Sequence, residues 1–258
     1  MRKSKLLAKL RDGRPARICG LGHFIPAYIR MAANAGYDCI WLDGEHRCFT
    51  DREIQSMLAY FHLFDVDCMF RPPTTEKTRL YRYLEDGATG LMIPHVSTPE
   101  KARMLVDAVK FPPVGDRGQD AAGLDADFYM SGGETYVDDA NRETFLVVQI
   151  ETPLAMENLE AIVTVEGVDG LFIGPGDLGL RIDRMNPGFT LDEAIRRVAN
   201  VAGERGLAWG CPAASPDHVK ALYDMGARLI AHGSEFFAMT QMLEACSRDL
   251  DRAYGSVD

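Results

Sequence analysis

Strand-like apolar runs alternate with helix-patterned stretches along all 258 residues, which predicts an α/β fold, a closed (β/α)₈ TIM barrel. Two further observations favour closure. The length is usual for one such barrel. The runs Phe145–Ile150 and Val168–Ile173 are almost wholly apolar, as in strands buried on both faces of a parallel sheet. A doubly wound open sheet would want a glycine-rich phosphate loop after the first strand. Gly20-Leu21-Gly22-His23 does not complete G-x-G-x-x-G.

The elements follow from their boundary residues. A first strand over 16–22 precedes a helix over 26–35, ended by Gly36. A strand over 38–43 leads to a helix opened by Thr50 and Glu53, spaced as a capping box. The strand over 67–71 stops at Pro72-Pro73, and the helix over 76–86 ends at Gly87. A strand over 89–96 meets the cap Ser97-Thr98-Pro99-Glu100 of a helix running to Lys110. The fifth strand, a helix from Pro153 to Gly167 and the sixth strand form one strand–helix–strand unit. A helix over 191–204, a strand over 207–211, a helix from Ser215-Pro216 to Gly226, a strand over 228–233 and a helix over 237–254 complete the set. The basic N-terminal segment (Arg2, Lys3, Lys5, Lys9, Arg11, Arg14) reads as a helix closing the barrel bottom.

One domain over 1–258 is expected, with a long insertion over 111–144 holding two helix-like pieces, 124–130 and 134–141. Loops of that length serve as lids, binding loops or subunit contacts.

Apolar content of 47% and charged content of 26% are ordinary for a globular domain. A net charge of −10 argues against nucleic acid and anionic membrane as partners. None of the six cysteines forms a C-x-x-C pair, which points to reduced thiols and a cytoplasmic protein. The N-terminus lacks a signal-peptide apolar run, and no stretch reaches the roughly 20 apolar residues of a membrane span.

In a barrel the chemistry lies at the C-terminal ends of the strands. Glu151 and Asp177 follow the fifth and sixth strands, so the strand–helix–strand unit brings them side by side. Two adjacent acids repel unless a cation lies between them, and oxygen ligands suit a hard divalent ion. Gly174-Pro175-Gly176 reads as a turn whose backbone is free to approach a ligand. Taken singly, Glu151 is equally a helix cap and Asp177 a turn residue. None of the seven lysines falls on a strand, which removes the Schiff-base route and leaves carbonyl activation to a metal. Arg71 offers a planar fork for a carboxylate or enolate oxygen, or else a structural pair with Asp43 or Glu45. His46 is the proton carrier, with Asp43 fixing its tautomer, or else a loop histidine. His23 and His95 read as packed strand-end histidines.

Five motifs carry a resemblance: Asp43-Gly44-Glu45-His46, Arg71-Pro72, Gly115-x-Arg117-Gly118, Val148-Gln149-Ile150-Glu151-Thr152 and Phe172-Ile173-Gly174-Pro175-Gly176-Asp177-Leu178. In order and spacing the chain resembles the metal-dependent class II pyruvate aldolases. That family includes 4-hydroxy-2-oxoheptanedioate and 2-dehydro-3-deoxyglucarate aldolases and is related to the citrate lyase β-subunit. The resemblance implies a divalent cation (Mg²⁺, Mn²⁺ or Co²⁺) on Glu151 and Asp177, and catalytic roles for His46, Arg71 and Asp43. Substrate would be bound by Arg71, by Gln149 beside the metal, and by the backbone at Gly176 and Asp177. It also implies a homo-oligomer, a hexamer in the family pattern, with the last helix and the 111–144 segment as contacts.

The expected reaction is reversible cleavage of a 4-hydroxy-2-oxo acid to pyruvate and an aldehyde through a metal-bound pyruvate enolate. Oxaloacetate decarboxylation through the same enolate, a CoA-ester C–C lyase and a non-catalytic 2-oxo acid binding barrel are the alternatives. The turn Gly20–Phe24, the run Gln119–Phe128 and glycine at 176 depart from the family's usual pattern. The first two touch the aldehyde side, and 111–144 is expected to set aldehyde choice.

Overall fold

The computed structural model describes residues 1–131 and 133–255. Its core is a closed barrel of parallel strands in the order β1 to β8. These are β1 (Ala16–Leu21), β2 (Cys39–Asp43), β3 (Asp67–Arg71), β4 (Gly90–Ile93), β5 (Phe145–Ile150), β6 (Gly170–Ile173), β7 (Ala208–Pro212) and β8 (Leu229–Ser234). Between and after them run α2 (Pro26–Asn34), α3 (Asp51–Leu63), α4 (Lys77–Glu85), α5 (Pro99–Val109), α6 (Tyr136–Glu143), α7 (Pro153–Glu157), α8 (Leu159–Ile162), α9 (Pro175–Met185), α10 (Leu191–Arg205), α11 (Pro216–Asp224) and α12 (Glu235–Tyr254).

The caps read from the sequence at Thr50, Thr98 and Ser215 are formed, Thr152 rather than Glu151 caps the helix after β5, and Thr190 adds a cap not read there. Thr50 accepts from the Glu53 amide while the Glu53 carboxylate takes the Thr50 amide, and Thr190 with Glu193 does the same for α10. Thr98, Thr152 and Ser215 cap α5, α7 and α11.

Three expectations change. The helix over 153–167 is two short ones, α7 and α8, broken at Asn158, whose side chain donates to the carbonyls of Ser97 and Leu154. The Gly174-Pro175-Gly176 turn is the first turn of α9, a helix the sequence reading passed over. The 111–144 segment joins the end of α5 to the start of β5, so it begins and ends on the face opposite the strand C-termini. There the Ser4 amide donates to Glu143 and Arg103 donates to the Val114 carbonyl, while Asp116 pairs with Lys77 at the other end, in the first turn of α4. The segment thus contacts Ser4, α4 and α5. Within it, Leu124–Ala126 is a 3₁₀ turn and α6 matches the second expected piece.

The core has two layers. Outside the barrel, strand residues such as Ile40, Leu91 and Val148 pack on Met57, Phe61 and Leu105 of the helices. Inside it, Ile18, Met69, Phe145, Phe172 and Leu229 fill the lower half. Gly90 is required there, because a Cβ would lie 2.1 Å from the Phe145 ring.

The helix α1 (Lys5–Arg11) plugs the bottom, as its sequence suggested, with Leu6 and Leu7 packed on that inner layer. Its anchor is Asp67, fully buried, which accepts from Arg2 Nη2 at 2.5 Å, Ser4 Oγ at 2.7 Å and the Leu6 amide at 2.8 Å. Removing the carboxylate would leave the buried Ser4 hydroxyl and Leu6 amide without their acceptor and take from the part-buried Arg2 one of its partners, Asp65 and Thr89 remaining. We expect Asp67→Ala to cost about 3–5 kcal/mol. Urea unfolding should show a lowered midpoint at unchanged slope; an unmoved midpoint would mean that α1 docks through its leucines alone.

Candidate active site

The β2–β3 register sets Asp43 directly beside Arg71. Arg71 is 7% exposed. Its Nε and Nη2 reach Asp43 Oδ1 at 3.0 and 2.9 Å, and its Nη1 reaches Glu45 Oε2 at 2.9 Å and Gln149 Oε1 at 3.3 Å. The Trp41 ring centroid lies 4.6 Å from the guanidinium carbon. The fork is thus fixed in plane and direction before any ligand arrives, and the pairing of Arg71 with Asp43 and Glu45 that the sequence left open is formed.

Asp43 does not hold the His46 ring. Its Oδ1 already takes Arg71 and the backbone amides of Glu45 (3.1 Å) and His46 (3.3 Å), so it shapes the turn after β2. The carboxylate near the His46 ring is Glu45, 3.6 Å from Nε2, and that ring is 56% exposed. The reason is a contact between neighbouring strand ends. Gly44 donates back to the Arg71 carbonyl, which turns the Asp43 side chain under the loop and leaves Glu45 facing the mouth.

The β5–β6 register pairs Ile150 with Ile173, so Glu151 and Asp177 leave the sheet side by side. Gly174 makes the approach possible, since a Cβ there would meet Glu151 Oε2 at 2.1 Å. Asp177 is in the first turn of α9, which Gly174 and Pro175 open without a side-chain cap. The amides of Gly176 and Asp177 are therefore among the free donors of a helix N-terminus, a setting suited to an anion. No atom lies within 4 Å of a Cβ built at Gly176, so glycine is not forced there by packing. Arg181, one turn on, reaches Asp177 Oδ1 at 2.5 Å.

His95 joins these acids. Its amide donates to Glu151 Oε1 at 2.6 Å, its Nδ1 lies 3.2 Å from the same oxygen, and its Nε2 lies 3.7 Å from Glu45. His95, Glu151 and Asp177 each offer a donor atom, all within 4.8 Å of one another. Burial holds the Glu151 carboxyl above its ordinary value, helped by the charges of Asp177 and Glu45 and opposed by His95. A buried carboxylate crowded by acids, with further donors converging on it, fits a divalent cation.

His23 is not at this centre. Its Nδ1 sits 2.9 Å from Glu235, whose buried carboxylate also takes the Gly22 amide, and together they fasten β1 to α12. Sequence reasoning took Glu45 only as a structural partner of Arg71 and His95 only as a packed strand-end histidine, and it passed over Trp41. It also passed over Lys101, which reaches the rim from α5 and donates to the His95 carbonyl at 2.9 Å. Glu45 lies inside a motif already singled out, and alternation along β2 signals Trp41. Lys101 carried no signal, because its position on a helix says nothing of where its ammonium ends.

A family model described as HpcH/HpaI aldolase/citrate lyase matches residues 21–241. A hydroxypyruvate/pyruvate aldolase of Deinococcus radiodurans is 34% identical over 251 residues, covering 95% of this chain and 87% of that protein. A 2-keto-3-deoxy-L-rhamnonate aldolase of Klebsiella pneumoniae is 33% identical over 220 residues, covering 83% and 80%. The crystal structure of an HpcH/HpaI aldolase from Desulfitobacterium hafniense superposes with a TM-score of 0.89 at 27% identity, covering 97% of this chain and 98% of that one.

The Glu151 environment predicts a trade between stability and binding. A carboxyl with a raised folded pKa keeps its proton more readily folded than unfolded. Its contribution to stability falls as pH rises from its ordinary 4.5 through the raised value, and stays lowered above it. At neutral pH, without divalent ions, Glu151→Gln should therefore melt above the parent. Adding Mn²⁺ should raise the melting temperature of the parent and not of the variant. A variant that melts lower and still responds to Mn²⁺ would contradict this.

Proposed function

The chain belongs to the HpcH/HpaI aldolase/citrate lyase family, and from that premise we propose how its barrel mouth works. It is a carbon–carbon lyase and functions as a class II pyruvate aldolase. The substrate side of our reading is a 4-hydroxy-2-oxo acid cleaved to pyruvate and an aldehyde. The observation that carries it is the meeting of the His95–Glu151–Asp177 donors with the pinned fork of Arg71 at one rim.

A divalent cation on Glu151 and Asp177, of Mg²⁺, Mn²⁺ or Co²⁺ type, supplies Lewis acidity at the C2 ketone when bound. The free amides of Gly176 and Asp177 hold the C1 carboxylate. Arg71 faces the oxygen that gains charge as the enolate forms; Asp43 and Trp41 keep it in plane, and Gln149 sets its inner edge. In cleavage the C4 hydroxyl loses its proton, the C3–C4 electrons pass to the enolate, and the aldehyde leaves. The enolate then takes a proton at C3 to become pyruvate. His46 carries these protons, oriented by Glu45 rather than Asp43. The cleft lined by Gly20, Trp41, Pro212, Ala213, His232 and Phe237 suits the aldehyde portion.

The barrel domain over 1–258 works as a homo-oligomer in the cytoplasm. Apolar residues exposed on α12, Phe237, Met242 and Leu243 among them, support a second copy as partner. The position of 111–144 supports subunit contact for that segment. Among the described residues no helix is long and apolar enough to cross a membrane.

Pyruvate release from a panel of 4-hydroxy-2-oxo acids, with oxaloacetate alongside, tests the reaction. Chelation should abolish release and Mg²⁺, Mn²⁺ or Co²⁺ restore it; full activity without metal would exclude the class. Borohydride with pyruvate should leave the mass of the chain unchanged.

Variants separate the roles. Arg71→Lys keeps the charge and loses the fork, so turnover should fall about 10²–10³-fold with weakened pyruvate binding. His46→Ala should lower turnover about 10²–10⁴-fold and leave metal titration unchanged. If His46→Ala turns over normally, the proton carrier is another group.

A further inference from the structure

His95 occupies the left-handed region, at φ +54°, one residue beyond Pro94 and two past the end of β4. A residue with a Cβ seldom adopts that conformation, and where it does the surroundings must hold it there. Here the hold is visible. Lys101 Nζ donates to the His95 carbonyl at 2.9 Å and to the Pro94 carbonyl at 3.4 Å. The turn aims two groups of one residue, its amide and its ring Nδ1, at Glu151 Oε1. Such an arrangement is more than strand-end packing demands. It also places an imidazole nitrogen in the same donor cluster as Glu151 and Asp177, where the sequence led us to expect oxygen alone.

We propose that His95 is a third protein ligand of the divalent cation, through a ring nitrogen, so that the site is a mixed nitrogen–oxygen one. This rests on the reading that Glu151 and Asp177 hold the cation. The consequence is selectivity. Imidazole suits the later first-row ions, whereas Mg²⁺ prefers oxygen ligands and retained water. His95 therefore strengthens Co²⁺ binding more than Mg²⁺ binding, and Lys101 positions it by fixing the turn.

The test is pulsed electron paramagnetic resonance of the Mn²⁺-loaded full-length protein, with calorimetric titration of Co²⁺ and Mg²⁺. Wild type should show the hyperfine coupling of a directly bound nitrogen, changed by ¹⁵N-histidine labelling. His95→Gln should bind Mn²⁺ and lose that coupling. Its Co²⁺ affinity should fall at least about 10-fold, the scale of losses at metal-site partners, and its Mg²⁺ affinity by less than about threefold. Glycine carries no penalty at this φ, so His95→Gly should fold even if the glutamine variant does not, and should lose the coupling too.

Mn²⁺ bound without nitrogen coupling would overturn the His95 assignment and leave the Glu151–Asp177 site standing. Coupling that persists in both variants would give the nitrogen to another histidine and equally overturn it. No Mn²⁺ binding to wild type would remove the metal reading, and this inference with it.

Discussion

Parallel strands of a closed barrel all end on the same face, so the residues just past their ends converge there. In this chain four of those positions are acidic: Asp43 ends β2, Glu45 lies two residues on, Glu151 comes directly after β5, and Asp177 lies in the first turn of α9 after β6. Their mutual repulsion is the constraint on which the rest of the mouth depends. Three are paired within the protein, because Arg71 binds Asp43 and Glu45 with separate nitrogens and Arg181 reaches Asp177. Glu151 is only partly satisfied. A backbone amide and a histidine ring face it, yet burial and its acidic neighbours still raise its pKa. Negative charge left over in a buried, preorganised position is how a fold stores the capacity to bind a cation.

That strain is tolerable because stability is supplied elsewhere. The lower barrel is filled by large apolar side chains and plugged by α1, with Asp67 gathering donors from three residues. The two ends are tuned oppositely with similar groups. Asp67 is a buried carboxylate surrounded by donors, and it fixes structure. Glu151 is a buried carboxylate among acids. Small residues at both levels permit these arrangements: Gly90 makes room for Phe145 below, and Gly174 lets Glu151 lie against the β6 end above.

Most of the fold was legible in the sequence, because alternating periodicity and caps are local signals. Thr50 with Glu53 announces α3, and the β3 bounds follow from its apolar run and Pro72-Pro73. Strand ends were legible too, so Arg71, Gln149, Glu151 and Asp177 fall where expected. What failed was anything decided by the direction of a side chain after its strand ends. The partner of the His46 ring depends on how the turn at Gly44 folds back on Arg71, a tertiary contact 27 residues apart in sequence. The break at Asn158 is set by its bond to Ser97, again non-local. His95 read as packing because nothing in Pro94-His95-Val96 signals a left-handed residue.

The lysines show how far a topological rule carries. None lies on a strand of the barrel, and from that alone a Schiff base was set aside. Yet Lys101 reaches the rim from the first turn of α5, and burial lowers its pKa while Glu151 and Glu45 raise it. Proximity and partial desolvation are the usual makings of a nucleophilic amine. Geometry rather than topology decides against it. The ammonium is spent on the carbonyls of His95 and Pro94, behind the turn whose other side faces Glu151. Freeing it would cost those bonds and release the one strained residue that points into the donor cluster. In this chain the lysine serves the acid site by holding the backbone that completes it, which favours the metal-dependent route.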